Sequence, residues 1–195
     1  MANRRKSTSN KTEVYGKAQV SPTGVAMWSY LNKAAEGMEG MADKFKISLF
    51  FSPDDDAFVK FEALVKAAMK KHEATEVSPI KAADEYCVNY AEEKGIEGIT
   101  EGMPYVSFST KKGPIPIVDA GGSTTDEDIW SGDWARVQYN LCGWYFGKKK
   151  GVSCWLSGAQ LIRTNREGLL TTSALDSVGE DTFDGDSASL EDLLE

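Results

Sequence analysis

The chain has 195 residues, of which 41% are hydrophobic, and carries a net charge of −8. This size and composition favour one domain with a sizeable core plus terminal tails. No segment approaches ~18 consecutive apolar residues, and no apolar segment follows the basic start, so we expect neither a membrane-spanning helix nor a secretory signal. With three cysteines that lack metal-type spacing and a single histidine, we expect no metal and no cofactor, and reduced cysteines in a cytoplasmic protein.

The negative charge is confined to the end of the sequence. Residues 176–195 hold eight acidic residues and no basic one, which leaves 22 acidic and 22 basic residues in the rest of the chain. The body is therefore neutral, and the overall acidity does not argue against binding a polyanion. We predict a flexible basic arm over residues 1–12, one folded domain over 13–170 and a disordered acidic tail over 171–195.

Three strands are predicted early in the domain, over residues 13–20, 25–31 and 43–51. The third alternates clearly, with large apolar side chains on one face and Lys44 and Lys46 on the other. Two lysines on one strand face are ordinarily solvated surface side chains with no binding role. Beside aromatic side chains, they would instead contact phosphates. The sequence leaves both interpretations open.

Two helices are predicted next. The first has Ser52 as its N-cap and runs to about His72, which is expected on the surface. A second Ser-Pro pair predicts another helix, which ends by Gly95. Residues 53–101 hold twelve acidic and six basic residues, so we expect this segment to act as scaffold or as a partner surface and not to face nucleic acid.

Two further strands, over residues 105–109 and 115–119, flank a basic turn that contains Lys111 and Lys112. The polar loop 121–128 follows, and it matches no glycine-rich phosphate-binding motif. Its consecutive acidic residues point in different directions, so a solvated loop is favoured over a metal site.

The segment 129–162 holds four of the five tryptophans and is predicted to form a hairpin with a glycine-flanked basic tip. Alternation assigns one face of its first strand to the core, namely Ala135, Val137, Tyr139 and Leu141. The opposite face carries Trp134, Arg136, Gln138, Asn140 and Trp144. Flat rings, a guanidinium and amides are the groups that stack on bases and neutralise phosphates. Between residues 130 and 166 there are six basic residues and one acidic residue.

The order of these elements favours a mainly β fold with inserted helices. The strands and the early helix fit an OB-fold-like five-stranded barrel with extra strands and a helix between strands, an architecture that often binds oligonucleotides.

Several segments resemble, in the same order, the OB-fold single-stranded-DNA-binding proteins of tailed bacteriophages. They cover roughly residues 25–168 and are WSYLN at 28–32, KFKISLF at 44–50 with PDD at 53–55, PIVD at 116–119, WSGDWARV at 130–137, KKGVSC at 149–154 and GAQLI at 158–162. The acidic C-terminal tail is also similar to those of phage replication proteins of this type. The chain departs from the pattern in a longer acidic excursion near 76–101 and in a terminal Leu194-Glu195 where some such proteins end in an aromatic residue.

The resemblance implies a non-enzymatic protein that coats and protects single-stranded DNA during phage DNA replication or recombination, in the host cytoplasm and without a membrane. It implies that the tail recruits replication proteins, such as a polymerase or a helicase-primase, and competes with DNA for the basic groove. The tail residues concerned are Asp184, Asp186, Leu190, Glu191, Asp192, Leu193, Leu194 and Glu195. The oligomeric state is left open, with a homodimer as a candidate.

The residue types specify a hypothesis for the DNA site. The candidates for base stacking are Trp134, Trp144 and Trp155, followed by Tyr105 and Trp28. The candidates for phosphate contacts are Lys44, Lys46, Lys111, Lys112, Arg136, Lys148, Lys149 and Lys150.

Two alternatives compete with this hypothesis. A nuclease would need converging carboxylates to hold magnesium, and Asp133 is the one strand-borne acid near the aromatic face. A phage protein-interaction or structural module, with no nucleic-acid role, would use the aromatic residues simply to fill a core.

Overall fold

The computed structural model describes residues 12–37, 42–75, 78–146 and 148–165. The predicted basic arm lies outside these residues except for Thr12, and the predicted acidic tail lies wholly outside them. In chain order the elements are β1 (Thr12–Val20), β2 (Gly24–Ala35), β3 (Lys44–Phe50), α1 (Asp56–Lys71), β4 (Ile80–Ala82), α2 (Glu85–Glu93), β5 (Pro104–Thr110), β6 (Ile117–Val118), β7 (Trp134–Phe146) and β8 (Lys149–Arg163).

Five of the strands close into a barrel. Strand β7 pairs with β2, β2 with β3, β3 with β5, β5 with β8, and β8 returns to β7. The β5–β8 pair is parallel and the other four are antiparallel. Strands β1, β4 and β6 extend the ring beside β7, β5 and β8. The prediction of a five-stranded OB-like barrel with extra strands and a helix between strands is confirmed.

The barrel interior is built from the alternation that the sequence displays. Ala135, Val137, Tyr139 and Leu141 of β7 are all buried, as predicted. Helix α1 lies against this core through its apolar stripe, and Phe61 packs edge-to-face against Tyr139 with 5.6 Å between ring centroids. Such rings stabilise the fold by removing large apolar areas from water.

The two ends of α1 differ from the sequence prediction. Its N-cap is Asp55, whose carboxylate accepts from the backbone N–H of Ala57, and not Ser52. Three consecutive acidic residues follow Pro53, and the third begins the helix, so the cap moves to the acid just before it.

His72, at the C-cap of α1, is buried and not on the surface. A hydrogen bond of 2.6 Å joins its Nδ1 to the Tyr15 hydroxyl, and its Nε2 donates to the Trp144 carbonyl oxygen at 3.1 Å. A β-carbon at Gly143 would lie 2.6 Å from the imidazole ring, so glycine is required there. His72 therefore ties α1 to β1 and β7.

The second predicted helix begins later than expected. Residues 80–82 form β4, which pairs with β5, and α2 begins at Glu85 with Asp84 as its N-cap. Helix α2 and the chain through Met103 pack onto the outer face of the barrel at one end, in a second apolar cluster. The acidic excursion thus covers part of the barrel surface.

Candidate nucleic-acid interface

One row of side chains crosses the uncovered outer face of the barrel. The backbone register pairs Tyr30 with Lys46, Lys46 with Ser109, Ser109 with Trp155, and Trp155 with Asn140. Directly paired residues project on the same side of a sheet. These five residues are called the central row. Four interstrand steps of roughly 4.8 Å give it a length of about 19 Å.

Both aromatic residues of the central row are accessible. The side chain of Tyr30 is 43% exposed and that of Trp155 is 44% exposed. The Lys46 ammonium lies 5.2 Å from the centroid of the Tyr30 ring, so a positive charge accompanies the first ring. Ser109 and Asn140 are half-buried and offer small polar groups between and beside the rings. The row can therefore stack bases at two points separated by hydrogen-bonding groups.

Lysines flank the row at one end of the barrel. Lys44 is exposed two residues before Lys46 on β3, and Lys111 and Lys112 are exposed in the turn directly after β5. Within the described part of the chain, these four lysines form no ion pair with an acid. Their charges are thus available to phosphates.

Trp134 corrects the sequence prediction. Its side chain is only 2% exposed and lies in the second apolar cluster, beneath the segment that contains α2. The Arg163 guanidinium carbon lies 5.3 Å from its ring. The alternation correctly assigned Trp134 to the outer face of β7. The segment that contains α2 covers that end of the face, so the prediction that Trp134 stacks on bases is wrong.

Tyr105 and Trp144 each have one ring face in contact with the protein. Tyr105 stacks on Phe50 with 4.7 Å between centroids, and burial raises the pKa of its hydroxyl. Trp144 is half-buried opposite Gly151 of the partner strand, where a β-carbon would overlap the indole. Trp28 is similarly enclosed by Phe50, Tyr105 and residues of α2. None of these three rings belongs to the central row.

The hairpin tip forms a separate basic group. Lys148 and Lys149 are exposed, while Lys150 makes a 2.6 Å ion pair with Glu73. That hydrogen bond raises the pKa of Lys150 and lowers the pKa of Glu73. Five residues of extended β8 separate Lys150 from Trp155, a distance of roughly 17 Å. The tip therefore lies beyond the central row.

Arg136 is half-buried on β7, and its Nε donates to the Thr23 hydroxyl at 2.7 Å. Tyr30 was not predicted as a site residue, and Asn140 was assigned to the polar face of β7 without being named as a candidate. The alternation of β2 does assign Tyr30 to the face opposite Met27, but only the register of strands distant in sequence aligns it with Lys46 and Trp155.

Among the residues that the structure describes, no group of three His, Cys, Asp or Glu side chains is placed to hold a metal ion, and no helix is long and apolar enough to span a membrane.

Comparison with known proteins identifies the family. The family model for the single-stranded-DNA-binding protein of Enterobacter phage Enc34 matches residues 22–194. The chain belongs to this family. The family match runs through the acidic residues 176–192, so it includes the tail as well as the barrel. No curated protein sequence matches the chain significantly.

Solved structures of phage single-stranded-DNA-binding proteins share the fold. The Enc34 protein in complex with single-stranded DNA aligns with a TM-score of 0.58 at 17% identity, over 74% of this chain and 85% of that one. The C-terminal truncation of the Enc34 protein gives a TM-score of 0.56 at 15% identity, over 74% and 84%. The single-stranded-DNA-binding protein gp2.5 of bacteriophage T7 gives 0.53 at 16% identity, over 93% of this chain and all of that one.

Proposed function

We propose that this member of the Enc34 family binds single-stranded DNA without sequence preference, with successive bases stacked along the central row. The observation that carries the proposal is the alignment of two exposed rings, Tyr30 and Trp155, with Lys46 between them in register. Every base has a flat face, so stacking is indifferent to sequence, and each stacked base contributes ~1–3 kcal/mol.

The flanking lysines supply the electrostatic part of the affinity. Each phosphate contact on a single strand contributes a slope of about −0.7 in log K against log salt. Four contacts from Lys44, Lys46, Lys111 and Lys112 give a slope of about −3. Lys148 and Lys149 at the hairpin tip are exposed and extend the positive surface for longer strands. Lys150 in the same tip is paired with Glu73.

The competing interpretation, in which the aromatic residues fill a core, fits Trp134 but not Tyr30 or Trp155. A protein-interaction module would also have little use for four unpaired lysines beside two exposed rings. Binding by stacking and charge needs no catalytic group, and we propose that the protein coats and protects transient single strands during phage DNA replication or recombination in the host cytoplasm.

We propose that the acidic segment 176–195 acts as a tethered competitor and as a recruiting element for phage replication proteins, such as a polymerase or a helicase-primase. A tethered polyanion reaches millimolar effective concentration at a basic surface on the same chain. The chain before the tail is held by Asp133, whose carboxylate accepts from the backbone N–H of Asn165 at 2.8 Å. Asn165, the last described residue before the tail, is therefore held at a fixed point on the barrel.

The test is a titration of intrinsic tryptophan fluorescence with oligo-dT. Stacking on Trp155 is expected to quench the emission at low salt, and added salt is expected to reverse the quenching. If saturating oligo-dT left the emission and the sedimentation of the protein unchanged at low salt, the proposed function would be wrong.

A further inference from the structure

A groove lies on the outer face of the sheet beside the central row. It has a volume of about 270 Å³. Its lining includes Val20, Val118, Arg136, Gln138, Gly158 and Gln160.

The register shows how the groove is built. Val20 of β1 pairs with Gln138 of β7, which pairs with Gly158 of β8. On the neighbouring rung, Arg136 pairs with Gln160, which pairs with Val118 of β6. The groove thus crosses four strands over two rungs. Gln138 lies two residues from Asn140 on the same face of β7, so the groove begins roughly 7 Å from the central row.

The lining of the groove combines an apolar residue at each end with fixed amides between them. Val20 is 42% exposed, and Val118 is half-buried. The Gln160 amide nitrogen donates to the carbonyl oxygens of Asp119 and Ala120, which leaves its side-chain oxygen as an acceptor. The Ser157 hydroxyl lies 3.3 Å from Oε1 of Gln138, which leaves the amide nitrogen as a donor. A largely apolar groove with one donor and one acceptor beside its open centre matches the face and edge of a nucleobase.

Gly158 also indicates that the groove accommodates a ligand. A β-carbon there would meet Gln138 at 3.6 Å and the Pro116 carbonyl oxygen at 4.0 Å, which are ordinary contacts. Its φ is not in the positive region. Neither packing nor backbone conformation requires glycine, although glycine inside a strand is destabilising by about 0.5–1 kcal/mol relative to alanine. Its lack of a side chain keeps the groove open, as where a ligand approaches a strand closely.

We propose that single-stranded DNA leaving the central row past Trp155 places one further nucleotide in this groove, with the base over Gly158 and beside the amides of Gln138 and Gln160. The inference rests on the proposed function and extends it from the barrel ring to the added strands β1 and β6. The turn with Lys111 and Lys112 lies in sequence between Ser109 of the row and Pro116 at the groove. Its charges therefore accompany the strand as it passes from one to the other.

The groove is tested by two substitutions that act on it differently. Gly158→Val fills it with an apolar side chain, and Val20→Glu places a negative charge at its exposed β1 end. Val59→Glu is the matched control, because Val59 is exposed on α1 and does not line the groove. Affinities are measured for oligo-dT of about 4 to about 16 nucleotides, the range of site sizes of OB folds. Thermal unfolding establishes that each variant is folded.

Both groove variants are expected to bind the shortest oligonucleotides as the wild type does, and to lose about tenfold in affinity for the longer ones, which corresponds to about 1.4 kcal/mol of lost contact with the groove. A length profile for Gly158→Val equal to that of the wild type, or equal losses for Val20→Glu and Val59→Glu, would overturn the groove assignment while leaving the proposed function intact. Absence of binding by the wild type at every length would instead overturn the proposed function.

Discussion

Removing the two exposed rings of the central row is the perturbation most diagnostic of the proposed function. Each stacked base contributes ~1–3 kcal/mol, so Tyr30→Ala and Trp155→Ala are each expected to weaken oligo-dT binding by at least about fivefold. Three interstrand steps of roughly 4.8 Å separate the two positions by about 14 Å. At that distance their effects should add in free energy, which makes the double variant at least about 25-fold weaker.

The assay is fluorescence anisotropy of labelled oligo-dT at constant salt. Trp130→Ala is the control, because Trp130 is 60% exposed but lies outside the central row. Trp155→Phe keeps a flat ring and is expected to recover most of the affinity lost in Trp155→Ala. Equal losses for Trp130→Ala and Trp155→Ala would refute the reasoning, since a general loss of aromatic surface would then explain both.

Three further predictions follow from charge and burial. Lys46→Ala is expected to reduce the salt slope of DNA binding by about 0.7. Lys150→Ala is expected to reduce the slope by less, because Lys150 is already paired with Glu73. Equal changes in slope for the two variants would contradict this prediction. Deleting residues 176–195 is expected to tighten oligo-dT binding at low salt and not at high salt, and unchanged low-salt affinity would remove the competition by the tail. Tyr139→Phe removes a buried hydroxyl that has no hydrogen-bond partner in the described structure, so urea unfolding should reveal equal or greater stability, and a loss above about 1 kcal/mol would contradict this.

The fold was largely predictable because its strands repeat a simple pattern. The alternation in β3 and β7 identifies which side chains face the core, and a glycine-flanked lysine turn identifies the hairpin between β7 and β8. These are local signals, which depend only on neighbours along the chain. The short strand β4 was missed because a Ser-Pro pair before an acidic segment also fits a helix start.

The candidate site was only partly predictable. Lys46 and Trp155 were selected by residue type and face, but their alignment with Tyr30 depends on the pairing of four strands. Trp134 illustrates the opposite limit, because alternation assigns a residue to a face without indicating what covers that face. Burial by a distant segment is a tertiary effect, and it also explains why His72 lies inside the protein.

The division of the positive charge has a functional consequence. The lysines near the central row and those at the hairpin tip lie on either side of Trp155, with about 17 Å of β8 between Trp155 and Lys150. A short strand can therefore engage the rings and the first group without reaching the tip. Only longer strands would contact Lys148 and Lys149, and salt slopes should grow with oligonucleotide length.

Ultraviolet cross-linking of oligo-dT followed by peptide mapping determines whether DNA lies along the central row, because it reports which side chains touch the bases. Cross-links are expected on the peptides of β2 and β8 that contain Tyr30 and Trp155. Cross-links confined to α2 or to the turn that contains Trp130, with none on β2 or β8, would contradict the account.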